Sequence, residues 1–454
     1  MVARKPDRAA PPAPVLHGTT VVAGLGRTGL SCARFLKARG LGFTVTDSRP
    51  LPPGLDVVRS LVPTDAIRVG GFDLRLLDGA AQVVVSPGLS LREPLFVEAA
   101  RRGIPVLGDI ELFARVAQAP IVGVTGTNGK STVTTLVALM TQSCGKSALA
   151  GGNLGPPALE LLDEAVPDFY VLELSSYQLE TTTSLVTTGA AVLNVTPDHM
   201  DRYDSVADYA AAKARVFDGA ATAVINLDDA IVRAMPRAGQ RVLGFSLERD
   251  ADFSVRDRDH DPVLLRFGQP LVAMSELRIA GLHNAANALA AFAMLEAMGL
   301  SVARGVDALK QFKGLPHRSQ WVADVAGVRY VDDSKGTNVG ATLAAVAGMP
   351  GSLVVIAGGQ GKGQDFLPLQ AAFRNKVRHV VLLGQDATQI AAALEGVCTI
   401  EFAKDMADAV VKSANAARTG ETVLLSPACA SLDMFRDYGH RGDEFAAAVR
   451  RLAP

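Results

Sequence analysis

The stretch Pro120-Ile121-Val122-Gly123-Val124-Thr125-Gly126-Thr127-Asn128-Gly129-Lys130-Ser131-Thr132 decides how this chain is read. Ile121 to Thr125 has the length and β-branched content of a buried strand. A short turn bounded by Gly126 and Gly129 follows, and the pattern then predicts a helix over Val133 to Thr141. A strand that passes through a glycine turn into a helix is the frame of a phosphate loop. Glycines let backbone N–H groups close around phosphate oxygens, and the helix N-terminus adds positive potential. Lys130 can reach the β- and γ-phosphates, and the Ser131 hydroxyl can coordinate Mg²⁺. The spacing departs from GxxxxGK[ST], because Val124 stands where the first glycine belongs. The competing reading is a chance glycine turn before a helix. Lys-Ser-Thr in register after a strand favours the phosphate loop.

The same strand–loop–helix grammar extends in both directions. Upstream, Thr20 to Ala23 runs into Gly24-Leu-Gly26-Arg-Thr-Gly29 and a helix predicted over Leu30 to Arg39. Phe43 to Thr46 ends at Asp47, and Val83 to Val85 ends at Ser86-Pro87-Gly88. Downstream, strands are expected at Phe169 to Leu172, Ala191 to Val195 and Ala223 to Asn226. Asp252 to Leu277 alternates apolar and polar residues, which predicts a small β-subdomain, and Asn284 to Met298 reads as an alanine-rich helix. Further strands are expected at Val328 to Val331, Leu353 to Ala357, Val380 to Leu383 and Thr422 to Leu425. Strands alternating with helices mean parallel sheets covered on both faces, with ligands at the carboxyl ends of the strands. The predicted fold is α/β, with three domains in series. These are a Rossmann-like N-terminal module, a central P-loop ATPase domain with a parallel sheet and the small β-subdomain, and a C-terminal Rossmann-like domain. The expected divisions are a flexible tail over 1–17 and domains over 18–109, 110–314 and 315–454.

Composition agrees with this division and narrows the function. At about 150 residues per domain, 454 residues make roughly three. Formal net charge is −1, which argues against a dedicated nucleic-acid or membrane-surface binder. The 43 glycines fit many tight strand-to-helix loops. The 4 cysteines, Cys32, Cys144, Cys398 and Cys429, form no CxxC pair and read as small buried residues of a reducing compartment. No apolar run reaches the roughly 18 residues that span a bilayer. The first residues carry Arg4, Lys5 and Arg8 without the apolar core of a signal peptide, so a cytoplasmic location is expected.

Other residues carry weaker signals on their own. Gly24, Gly26 and Gly29 match GxGxxG, with Asp47 following as a dinucleotide fingerprint would place it. That module can equally take another nucleotide or a diphosphate at its helix N-terminus. Glu173 ends a predicted strand, where a carboxylate can hold Mg²⁺ or simply be solvated. His199, in Asp198-His-Met-Asp-Arg202, can be a ligand, a hydrogen-bond donor or neither. Lys213 lies in an alanine-rich helix and reads locally as a surface lysine. Three polar loops fall on the carboxyl edge of the last sheet: Asp332 to Asn338, Gly358 to Gly363, and Ser426 to Asp433. Lys362 among four glycines there makes an anion cradle.

Taken together the motifs resemble the Mur ligase family of peptidoglycan synthesis. The residues that carry the resemblance are Gly126 to Thr132, Glu173-Leu-Ser-Ser-Tyr-Gln178, Asn194-Val-Thr-Pro-Asp-His199-Met-Asp-Arg202, His283-Asn-Ala-Ala-Asn287, Leu315-Pro-His-Arg318 and Asp333-Ser-Lys-Gly-Thr-Asn338. It covers Gly18 to Pro454 and is strongest to the D-glutamate-adding branch, through Gly24 to Gly29, Asp47-Ser-Arg49, Gly151 to Gly155 and Ser426 to Phe435. The resemblance implies ATP-dependent amide ligation by way of an acyl phosphate. Its small-molecule substrates would be UDP-MurNAc-L-Ala, D-glutamate and ATP. No nucleic acid or membrane insertion is expected, and the chain is expected to act as a monomer. It implies that Gly126, Thr127, Asn128, Gly129, Lys130, Ser131, Thr132, Asn287, Arg318 and Asp333 bind ATP. It implies Thr28, Asp47, Ser48, Arg49, Ser86 and Asn153 for the UDP-sugar, so that GxGxxG takes UDP. It implies Lys335, Thr337, Lys362, Ser431, Leu432 and Tyr438 for D-glutamate. Lys130, Glu173, His199 and Lys213 are the catalytic set it implies. Two Mg²⁺ ions would be held by Ser131, Glu173, His199 and Lys213, the last as a carbamate. The chain departs from the family pattern at Arg27, at Gln360, where an aspartate is expected before Gly361-Lys362, and at Tyr438, where phenylalanine is expected. The alternative is another Mur-type or a folylpolyglutamate-type amide ligase. A nucleotide-gated binding protein or a dehydrogenase is the reading outside that class.

Overall fold

The computed structural model describes residues 18–452 apart from 259, 260 and 280. The tail expected over 1–17 lies outside the described residues. Over the described residues the chain builds three sheets in succession.

The first is all parallel. Its strand order is Ile67–Val69, Phe43–Asp47, Thr19–Ala23, Ala80–Val85, Val106–Leu107. The order reverses at Thr19–Ala23, which opens a crevice at the carboxyl ends of that strand and of Ala80–Val85. The helix Arg27–Ala38 begins earlier than the sequence predicted and takes in Gly29. A Cβ on Gly29 would stand 1.7 Å from the Gly24 carbonyl oxygen, so only glycine lets this helix seat on its strand.

The second sheet has nine strands. Ile121–Thr125 lies parallel between Phe169–Glu173 and Gly189–Val192. Ala148–Gly152 closes one side, and Thr222–Asn226 and Arg241–Ser246 extend the other. The segment expected to form a β-subdomain is three strands, Phe253–Arg258, Asp261–Arg266 and Gln269–Ala273. They run antiparallel to one another and join the same sheet through Arg241–Ser246, as its edge. The helix after the phosphate loop spans Lys130–Ser143, so Lys130 and Ser131 form its first turn. It packs Val133, Leu136, Val137 and Met140 against the helix Leu282–Ala297, whose alanines allow close approach. Phe292 is fully buried there, a contribution of about 1.5–3 kcal/mol.

The third sheet runs Gln320–Val325, Val328–Asp332, Thr422–Leu425, Leu353–Ala357, Val377–Leu382, Thr399–Phe402, parallel except for the first strand. Cys32 and Cys429 are buried, and all four cysteines are free. No helix among the described residues is long and apolar enough to cross a membrane.

Two junctions position the site. After Leu107, Asp109 accepts a hydrogen bond from Gln178 Nε2, and Glu111 accepts from the Thr183 and Ser184 N–H groups. The helix Asp109–Val116 is thereby fastened to the central unit. After Phe312, the linker Leu315-Pro-His-Arg318 is fastened to the third unit. The Lys335 N–H donates to the His317 carbonyl, His317 Nδ1 lies 2.7 Å from Asp332 Oδ2, and the Ser319 N–H donates to Asp333 Oδ1.

Candidate active site

Three neighbouring cavities open at the carboxyl ends of these sheets. The first, of 510 Å³, lies at the crevice of the N-terminal sheet. Thr28, Asp47, Ser48, Arg49, Ser86 and Asn153 all line it, together with Arg27. Asp47 is already engaged: it accepts from the Leu25 N–H at 2.7 Å and from the Arg49 guanidinium at 2.8 and 2.9 Å. Ser86 Oγ donates to the Gly24 carbonyl and holds the two loops together.

The second cavity, of 300 Å³, lies between the central and third units. Asn128, Gly129, Thr132, Asn287, Arg318, Asp333 and Lys335 line it. Gly129 takes φ +83, and a Cβ there would stand 2.4 Å from Asn287 Oδ1. Asn194, Asn226, Phe245 and His283 share this wall. The sequence reading gave none of these four a role, although Asn194 and His283 lie inside two of its motifs.

The third cavity, of 260 Å³, brings the phosphate loop together with the other chemistry-bearing groups. Thr127, Lys130, Ser131, Glu173, His199, Lys213, Arg318, Lys335, Thr337 and Lys362 all line it. Lys130 Nζ donates to the Gly126 and Thr127 carbonyls, and Lys213 Nζ donates to the Gly126 carbonyl at 2.9 Å. The local reading of Lys213 as a surface lysine is corrected here. The residue is 1% exposed, because its helix, Val206–Ala214, packs beneath the phosphate loop. Glu173 Oε1 accepts from Asn153 Nδ2 at 2.6 Å, while Glu173 Oε2 is buried without a partner. Asn153 borders both this cavity and the first. Arg318 reaches across from the linker to donate to Ser131 Oγ at 2.7 Å.

Burial sets the protonation states. It pushes the Lys213 ammonium well below its usual range, with Lys130 adding repulsion. Burial, then Arg318 and Lys130, brings Lys335 down to about 7. His199 is brought down to about 4, chiefly by burial, and is neutral at pH 7. Burial raises Asp333 to about 7 against hydrogen bonds from Ser426 and Ser319. His199 and Lys362 take φ 59 and 54, left-handed conformations that cluster at functional sites.

Ser431, Leu432 and Tyr438 lie outside the walls of these three cavities. The Tyr438 ring instead carries the Lys335 ammonium, 3.9 Å from its centroid. Ser431 is buried and Leu432 is exposed. Gln360, where an aspartate was expected, pairs through its backbone with Ala430. The carboxylates near that loop come from elsewhere: Asp386 accepts from the Gly361 N–H, and Asp198 faces Lys362.

A phosphate loop, an unpaired buried carboxylate oxygen and lysines on an opposing unit define a site for activating one anion with another. Residues 18–108 match the Mur ligase MurD-like, N-terminal domain. Residues 124–295 match the Mur ligase middle domain, and 317–429 the Mur ligase, glutamate ligase domain. The chain belongs to the Mur ligase family. It is 50% identical over 443 residues to the UDP-N-acetylmuramoylalanine--D-glutamate ligase of Nitrosococcus oceani, covering 97% of this chain and 98% of that one. It is 50% identical over 438 residues to the enzyme of the same name from Methylobacillus flagellatus, covering 95% and 96%. The solved pseudomurein peptide ligase type C of Methanothermus fervidus shares its fold, with a TM-score of 0.62 at 18% identity over 96% of this chain and 100% of that one.

Proposed function

We infer that this chain is an ATP-dependent amide ligase that joins D-glutamate to UDP-N-acetylmuramoyl-L-alanine in cytoplasmic peptidoglycan precursor synthesis. One observation carries the reading. A single cavity is lined by the phosphate-loop residues Lys130 and Ser131, the strand-end Glu173, and Lys335 and Lys362 from the third unit. The chain divides into units 18–109 for the UDP-sugar, 110–314 for ATP and 315–454 for the amino acid, and acts as a monomer on small molecules.

The substrate's terminal carboxylate is a poor electrophile. Its oxygen attacks the γ-phosphorus, ADP leaves, and an acyl phosphate forms. The amine of D-glutamate then adds to the carbonyl carbon, and the tetrahedral adduct expels phosphate to leave the amide. Lys130 neutralises the phosphates, and Arg318, delivered by the linker, faces them from the opposite side. Lys335, Thr337 and Lys362 hold the amino acid, with Lys362 opposite its side-chain carboxylate; Tyr438 acts through the Lys335 ammonium that its ring carries, and Ser431 and Leu432 stay outside the cavity walls. The protein's work is to bring three anionic ligands together and to fix their geometry.

The buried, partnerless Glu173 Oε2 and the Ser131 hydroxyl line one cavity and make an oxygen donor set that suits Mg²⁺. When bound there, Mg²⁺ supplies charge neutralisation at the phosphate oxygens. A second ion would sit with His199 and a carbamate on Lys213. The depressed ammonium of Lys213 supports the carbamate, because a neutral amine adds to CO₂, forming an N–C bond and releasing one proton.

Phosphate release with UDP-N-acetylmuramoyl-L-alanine and D-glutamate, set against L-glutamate and other amino acids, tests the function. Turnover specific to D-glutamate is expected. Equal turnover with L-glutamate or L-lysine overturns the assignment.

A further inference from the structure

The loop that carries His199 also carries Asp198, a nearly fully buried acid for which the ligase chemistry above has no use. Its backbone belongs to the central unit, but its side chain faces the third. Asp198 Oδ2 accepts a hydrogen bond from Asn338 Nδ2 at 3.1 Å. Asp198 Oδ1 lies 3.4 Å from Lys362 Nζ and accepts from the His199 N–H at 2.9 Å. Asn338 is fixed in its turn. Its Oδ1 caps the helix Val339–Gly348 by accepting from the Ala341 N–H, and its amide pairs with that of Asn128 in the phosphate loop. One carboxylate thus gathers the phosphate loop, the Asn338 turn and the Lys362 loop.

Lys362 needs such a partner. Gln360 supplies no charge beside it, and the acid within ion-pair distance of its ammonium is Asp198, at 3.4 Å. Asp198 and Glu173 are the acids that stand among Lys130, Lys213, Lys335, Lys362 and Arg318 in this cleft. Of the two, Asp198 is the one that pairs with Lys362, while Glu173 Oε1 accepts from Asn153.

We propose that Asp198 is the positioning residue of the amino-acid site, holding the Lys362 ammonium and the Asn338 turn against the phosphate loop so that the incoming side-chain carboxylate meets a cation already in place. The proposal rests on the reading that the third unit binds the amino acid. Asp198 touches no reacting atom. Its effect is to preorganise Lys362, and that effect appears in the binding of one substrate out of three.

The test is steady-state phosphate release with each substrate varied in turn, on the full-length enzyme. Asp198→Asn keeps the acceptor for Asn338 and removes the charge facing Lys362. The KM for D-glutamate is expected to rise about tenfold or more, the order expected for a lost charge-assisted contact, while KM for ATP and for the UDP-substrate stays within about twofold. Asp198→Glu should recover part of the loss. An unchanged D-glutamate KM, or an equal rise in all three, overturns the proposal. If Asp198→Asn does not fold, Asn338→Ser keeps the helix cap and removes the amide that Asp198 and Asn128 share, and it should raise the KM for D-glutamate more than that for ATP; no greater rise for D-glutamate also overturns the proposal. Wild type that turns over with a different amino acid refutes the D-glutamate assignment alone, and the same comparison then uses that amino acid. Wild type inactive with every amino acid removes both.

Discussion

Replacing Asn153 by alanine cuts a side chain that borders both the UDP-side cavity and the catalytic cavity. Its amide donates to Glu173 Oε1 at 2.6 Å, and its backbone N–H donates to the Glu173 carbonyl at 2.9 Å. Alanine keeps the backbone bond and removes the side-chain one. Glu173 Oε2 is already without a partner, so the variant leaves both carboxylate oxygens unpaired in a buried site. A hydrogen bond to a charged group is worth about 1.5–3 kcal/mol. At 1.36 kcal/mol per tenfold, that is a loss of about 10- to 150-fold.

Where the loss appears is diagnostic. If Asn153 fixes Glu173 as an oxygen donor, the Mg²⁺ concentration for half-maximal activity rises, and kcat/KM for the UDP-substrate falls by about that factor. The assay is phosphate release at stepped Mg²⁺ concentrations, with thermal melting to show that the fold is retained. A wild-type Mg²⁺ curve with kcat/KM within about twofold would refute the reasoning, since the bond would then orient nothing.

Lys213→Ala should abolish phosphate release, and added short carboxylates should restore part of it; no restoration would count against the carbamate. Burial raises Asp333 to about 7, so between about pH 4 and 7 the folded protein keeps a proton that the unfolded chain has lost, and stability falls as pH rises through that window. Melting of ligand-free Asp333→Asn should therefore gain on wild type from pH 5 to pH 8, and a constant difference would refute the shift. Gly29→Ala should destabilise the N-terminal unit by about 1–3 kcal/mol, because its Cβ would meet the Gly24 carbonyl at 1.7 Å. Gly26→Ala, with nothing within 4 Å, should melt like wild type, and equal melting of the two variants would discount the clash.

The parts of this fold that were legible in sequence are those where local pattern and burial coincide. Ile121–Thr125, Leu353–Ala357 and Thr422–Leu425 are fully buried parallel strands, and their apolar runs are unbroken. Ile67–Val69, Gln320–Val325 and Thr399–Phe402 went unread because they are edge strands with exposed positions, and Ala148–Gly152 because it contains two glycines. The helix at Lys130 was placed late because Lys-Ser-Thr has no apolar period, although tertiary contact with the loop holds it helical. Lys213 shows the limit most sharply. A lysine among alanines carries no local sign that its ammonium will reach a carbonyl 87 residues earlier in the chain. Asp198 and Asn338, 140 residues apart, are likewise united only by the fold.

The protonation states argue that substrate charge is part of how this site is assembled. Lys335 at about 7 and a strongly depressed Lys213 show that burial first, and neighbouring cations second, disfavour ammonium groups in this cleft. Asp333, raised to about 7, adds little compensating charge. Nucleotide phosphates entering this cleft would stabilise the Lys335 ammonium, so binding would take up protons near neutral pH. The cations concerned come from the central unit, from the linker residue Arg318 and from the third unit. Phosphate charge in this cleft is thereby met by groups from more than one unit. An acyl phosphate, prone to hydrolysis, would then form where groups of the central and third units already line one cavity. The near-zero charge of the whole chain is consistent with this, since the working cations are few and gathered in one cleft.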